Sequence, residues 1–128
     1  MKTLGIALLS LALLSPLSAA TETVAVTLDV TLSSLDYKSC DVALPVGSTA
    51  HDALDQAVED GCISSWSGTH YDGIGTFVDC IDGVCGAVAT FWAFSVDDAF
   101  SDKGIDDVVV ADGTTLGFDY QQWVVPVA

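Results

Sequence analysis

The sequence predicts an α+β domain in which one helix packs on a small mixed sheet, in the order ββαββ followed by a final strand. Three observations predict it. Thr23 to Ser33 alternates strictly between apolar and polar residues. A single apolar stripe of helical period runs from Ala50 to Val58. Asp82-Gly83 sits between two apolar runs, a strong hairpin signal because a type I′ turn needs positive φ at both central residues.

Taken in order, the first strand places Val24, Val26, Leu28, Val30 and Leu32 on one face and Thr23, Ala25, Thr27, Asp29 and Thr31 on the other. Cys40, Val42, Leu44 and Val46 alternate again in a second strand. Pro45 has no N–H to donate, so this strand lies at an edge or stops there. Gly47-Ser48-Thr49 opens the helix, with Thr49 and Asp52 spaced as a capping box. Ala50, Ala53, Leu54, Ala57 and Val58 form its buried stripe, and Gly61 stands where a left-handed C′ residue belongs. Ile63 to Gly75 is rich in Ser and Gly and reads as an irregular loop carrying Trp66, His70 and Tyr71. The hairpin about Asp82-Gly83 follows. Its second strand runs on to Phe94 and is apolar on both faces, through Trp92 and Phe94 on one and Phe91 and Ala93 on the other. Such a strand is central, or is covered on its second face by something other than the helix. Asp97 to Lys103 is a polar connection. Gly104 to Val110, a turn at Asp112-Gly113 and a last strand through Leu116, Phe118 and Tyr120 complete an arrangement of β-grasp type.

Residues 1–20 read as a signal peptide: Lys2, an apolar Leu4 to Leu14, and a small-residue cleavage site ending at about Ala20. The apolar run is too short for a membrane span. Residues 21–128 then form one secreted domain. Four cysteines in an exported chain imply two disulfides, with three pairings open. Cys80 and Cys85 flank the Asp-Gly turn as an opposed pair. Cys40 faces inward and Cys62 closes the helix. The favoured pairs are therefore Cys40–Cys62 and Cys80–Cys85.

Three Lys and no Arg stand against 18 acidic residues, a formal net charge of −15. That balance argues against nucleic acid and anionic membrane surfaces as partners. Asp97, Asp98, Asp102, Asp106 and Asp107 make an acidic surface without EF-hand spacing. Cys80 and Cys85 lack the second close pair that a zinc site needs, and neither His51 nor His70 has a Cys or His at ligand spacing. No metal is expected. There is no Gly-x-Ser-x-Gly elbow and no zinc-hydrolase motif, and Ser67, His70 and Asp72 are too close in sequence for a triad. The chain is therefore expected not to be an enzyme.

Several motifs recur in a recognisable order. They are Leu44-Pro45-Val46-Gly47-Ser48-Thr49 with Ala53-Leu54, then Gly75-Thr76-Phe77-Val78 leading to Ile81-Asp82-Gly83. Thr90-Phe91-Trp92, Lys103-Gly104-Ile105 and Asp112-Gly113-Thr114-Thr115-Leu116 follow. Over roughly residues 24–123 the chain resembles the C-terminal β-domain of the cobalamin carriers transcobalamin and intrinsic factor, together with the stand-alone secreted microbial domains grouped with it. The resemblance implies a β-grasp-like fold and a non-enzymatic role in capturing cobalamin or a similar small molecule. By position it implies Phe91 and Trp92 as ligand-facing residues, with Trp66 and Tyr71 in the preceding loop as further candidates. The alternative is an extracellular interaction or adhesion module with a protein partner, suggested by the acidic surface.

Overall fold

A computed structural model describes residues 22–122; the leader expected over residues 1–20, and Trp123, lie outside them. The chain runs through β1 (Thr23–Ser33), β2 (Asp36–Pro45), α1 (Ala50–Glu59), β3 (Trp66–Tyr71), β4 (Gly75–Ile81), β5 (Val84–Cys85), β6 (Thr90–Val96), β7 (Ala99–Phe100), a 3-10 turn (Ile105–Asp107) and β8 (Thr115–Gln122). The strands form two sheets, one of five strands in the order β2-β1-β8-β6-β7 and one of three in the order β3-β4-β5. The larger sheet is mixed: β1 is antiparallel to β2 but parallel to β8.

One face of the larger sheet carries the core. Val26 and Leu28 of β1, Val42 and Leu44 of β2, Leu116 and Phe118 of β8, and Phe94 of β6 are all buried. The polar residues alternating with them face outward, as a pleated strand requires. Helix α1 covers the β1–β2 half of this face with Ala50, Ala53, Leu54 and Ala57. The three-stranded sheet and the 3-10 turn cover the β6 half, through Val78, Ile81 and Ile105.

This is a β-rich pairing of two sheets with one helix among the described residues, and it corrects the ββαββ β-grasp expectation. Two local features make the difference. The apolar run after Asp82-Gly83 is not one strand. β5 ends at Cys85, and the chain then crosses to the other sheet through a tight turn in which the Ala87 N–H donates to the Thr90 carbonyl at 3.1 Å and to its Oγ1 at 3.0 Å. The Ser- and Gly-rich stretch expected as loop is β3, laddered along β4 with its side chains largely exposed. Backbone hydrogen bonds, not side-chain burial, hold it. Gly68 serves that ladder: a Cβ there would lie 2.6 Å from the Phe77 carbonyl oxygen.

Elsewhere the local signals fold as the sequence implies. Thr49 Oγ1 accepts from the Asp52 N–H, and the Asp52 carboxylate accepts from the Thr49 N–H, closing a capping box. At the other end Gly61, at φ 79°, donates to Val58, and Cys62 donates to Ala57, a Schellman motif. That motif delivers Cys62 to Cys40 on β2, and the two form a disulfide with Cα atoms 6.1 Å apart. Asp82 and Gly83 have φ of 54° and 81°, as a type I′ turn demands. Cys80 and Cys85, opposed across that turn, form the second disulfide. β2 stops at Pro45 and is an edge strand.

Candidate functional site

The change of sheets after Cys85 creates a groove. β6 pairs with β8 along its whole length, but β7 pairs only with Ser95 and Val96. From Phe91 to Ala93 the other edge of β6 therefore faces β4 across a gap rather than a neighbouring strand. The gap has a volume of about 660 Å³. Tyr71, Ile74, Phe77, Val78 and Asp79 form one wall, and Gly86, Ala87, Thr90, Phe91 and Trp92 the other. A smaller hollow of about 150 Å³ shares Phe77, Val78, Phe91 and Trp92 and extends to Phe100 and Ile105. Consecutive residues such as Phe91 and Trp92 point to opposite faces of a strand. Both can line the same groove only because it lies along an open strand edge.

The rim on the β6 side is held firmly. The Tyr120 hydroxyl donates to the Cys85 carbonyl at 2.8 Å, which leaves the Thr90 hydroxyl to donate to Tyr120, also at 2.8 Å. The Gly86 N–H donates to the Asp79 carbonyl at 2.9 Å and ties the crossing segment back to β4. On the opposite wall the Tyr71 and Phe77 rings lie 6.1 Å apart, and the Thr69 hydroxyl donates to the Asp79 carboxylate at 2.5 Å.

Of the four aromatic candidates, the structure gathers Phe91, Trp92 and Tyr71 at this groove. Phe91 is half-buried and Tyr71 exposed. Trp92 is mostly core: it is 7% exposed, its Nε1–H donates to the Val84 carbonyl at 2.9 Å, and its ring packs 5.1 Å from that of Tyr120. Trp66 lies elsewhere, against helix α1. Its Nε1–H donates to Asp55 at 2.9 Å, and its ring meets His51 edge-on at 4.9 Å. Sequence reasoning missed Ile74, Phe77 and Asp79. The available signal was an aromatic residue in β4 that alternates with the buried Val78.

A second cluster unites residues far apart in sequence. Asp106, in the 3-10 turn, accepts from the Thr76 hydroxyl at 2.6 Å, and lies 3.3 Å from His70 Nδ1 and 3.6 Å from His51 Nδ1. The Thr76 hydrogen bond chiefly, then the two imidazoles, hold the Asp106 carboxyl below its ordinary value against the opposing effect of desolvation. The cluster ties α1, β3, β4 and the 3-10 turn together. Among the described residues no group of three His, Cys, Asp or Glu side chains is arranged to hold a metal ion. No described helix is long and apolar enough to cross a membrane.

The groove thus offers ring faces, aliphatic walls, one carboxylate and the hydroxyl of Tyr71. That combination suits holding a flat, largely apolar molecule.

The fold is shared with solved structures. Haptocorrin, solved in complex with Cbi, superposes with a TM-score of 0.73 at 18% identity over 82% of this chain; the chain spans 26% of haptocorrin. A protein of Ruminococcus gnavus ATCC 29149, provisionally described as metal binding, superposes with a TM-score of 0.61 at 13% identity, over 79% of this chain and 99% of the other. The architecture is therefore transcobalamin-like. No curated protein matches the chain. The family described as "Domain of unknown function (DUF4430)" matches residues 47–122, and the chain belongs to that family.

Proposed function

We propose that this chain is a secreted, non-enzymatic binding domain, comprising residues 21–128 after removal of a leader, that holds one face of cobalamin or a similar flat small molecule in the groove between β4 and β6. The observation that carries the reading is the groove itself: about 660 Å³ with Tyr71, Phe77 and Phe91 at its walls, on a pre-organised rim. Flat aromatic walls favour a broad planar ligand because contact area grows without much loss of side-chain entropy. Support also comes from the likeness to haptocorrin, whose structure contains Cbi. The test is an absorbance titration with cobalamin, backed by equilibrium dialysis. Binding at micromolar concentration that is lost on Phe91→Ala supports the reading, and no binding at high micromolar concentration removes cobalamin from it.

A second reading, an extracellular protein-interaction module, is favoured by β3. It is the outer strand of the smaller sheet, six residues long, nearly all exposed, with no Pro, Lys or Arg. Such an edge presents backbone groups to which another strand can pair. Thr69→Pro would abolish capture of a partner held that way, and capture that survives the substitution would remove this reading.

A further inference from the structure

We infer that the groove between β4 and β6 selects a small organic cation with a flat apolar body, and that Asp79 supplies the counter-charge. This rests on the ligand-binding reading of the same groove and adds the charge class of the ligand. Among the residues lining the groove and its extension, Asp79 alone carries a charge. Its carboxylate is oriented by the Thr69 hydroxyl, which donates to one oxygen at 2.5 Å. Beside it stand Tyr71, Phe77 and Phe91, and the faces of such rings attract a cation while their area holds its apolar body.

Among the described residues no positive group competes. The sequence has no Arg, and Lys38 is held at the tip of the β4–β5 hairpin by Asp82 and the Cys62 carbonyl. Lys103 lines a separate hollow beyond Phe100. The net charge of −15 adds a long-range field that draws cations in and repels anions. An anionic ligand of the same shape would place its charge beside an oriented carboxylate with no cation to offset it, which opposes binding.

Fluorescence titration with two flat probes of opposite charge tests this: thioflavin T, a cation, and 8-anilinonaphthalene-1-sulfonate, an anion. The protein is compared with Phe91→Ala, with Asp79→Asn, which keeps an acceptor for Thr69, and with Asp36→Asn, an exposed control at the start of β2. At about 0.15 M salt, where long-range fields are largely screened, thioflavin T should bind more tightly than the anion. Asp79→Asn should weaken thioflavin T about tenfold. Asp36→Asn should change it by less than about twofold, and Phe91→Ala should weaken both probes. The charge assignment is overturned if thioflavin T does not bind, if the two probes bind equally, or if Asp36→Asn weakens binding as much as Asp79→Asn. If Asp79→Asn is silent while Phe91→Ala removes binding, the groove binds ligands without charge selection and only this inference falls. If Phe91→Ala affects neither probe, the ligand-binding reading of the groove falls with it.

Discussion

Lys38 Nζ on β2 lies 2.9 Å from Asp82 Oδ2 at the tip of the β4–β5 hairpin, and 3.0 Å from the carbonyl oxygen of Cys62. One ammonium group thus joins the two sheets and the segment after α1 that the Cys40–Cys62 disulfide ties to β2. Asp82 also accepts from the N–H and the hydroxyl of Ser64. The turn residue chosen for its positive φ is at the same time an anchor. Asp82→Asn keeps the tolerance for positive φ and removes the charge, and should cost about 1 kcal/mol. Asp82→Ala also loses the Ser64 bonds and strains the turn, and should cost about 2–3 kcal/mol. Urea unfolding of the two variants gives the comparison, and equal losses would refute the anchoring role.

Acid should act through two carboxylates. Desolvation, the largest single effect on Asp82, raises its value, but the hydrogen bond from Lys38, the two from Ser64 and lastly the Lys38 charge together hold it below the ordinary one; Asp106 is lowered chiefly by Thr76. A lowered folded value means stability that is present above about pH 4 and lost as pH falls through that lower value. The difference in unfolding free energy between the protein and its Asp106→Asn variant should therefore shrink between about pH 5 and pH 2. A difference that stays constant over that range would show that the His51–Asp106–His70 cluster contributes no linked stability.

The two disulfides should differ in worth. Cys40–Cys62 spans 22 residues and Cys80–Cys85 only 5. On chain entropy alone, removing the longer link should cost about 3 kcal/mol and the shorter about 2 kcal/mol. Cys40 is also buried and belongs to the core, which widens the gap. Paired Cys→Ala variants unfolded in urea decide it; a larger loss for the Cys80/Cys85 pair would mean that the clip at the groove rim governs global stability.

The aromatic residues should separate by role. Trp92→Ala empties a core position and should cost about 3–5 kcal/mol. Phe91→Ala should cost about 1–2 kcal/mol, because the ring is only half-buried. Its larger effect should be on ligand affinity. Trp66→Phe loses the bond to Asp55, about 1 kcal/mol, and should leave affinity unchanged. Thermal unfolding with and without ligand measures both quantities. Loss of affinity in Trp66→Phe would move the site to the helix side of the molecule.

Much of this protein was legible in the residues alone, where contacts within a few positions decide the outcome. The alternation from Thr23 to Ser33, the capping box of Thr49 and Asp52, Gly61 at the helix end and the Asp82-Gly83 turn each specify their own geometry. The register at that turn also sets Cys80 opposite Cys85. Three things needed the assembled chain. β3 was obscured by its Ser and Gly residues because its stability lies in the ladder to β4, which side-chain pattern does not encode. His51 and His70 looked isolated because the carboxylate between them comes from position 106. Most consequential is the break between β5 and β6. An apolar run from Val84 to Phe94 satisfies one long strand as well as two short ones. The choice is made by the Tyr120 hydroxyl on the Cys85 carbonyl and by the Ala87–Thr90 turn. Tyr120 lies 35 residues from Cys85, so that contact exists only once β8 has joined β6. That same break opens the groove, which is why the sequence marked Phe91, Trp92 and Tyr71 but not Ile74, Phe77 and Asp79 beside them.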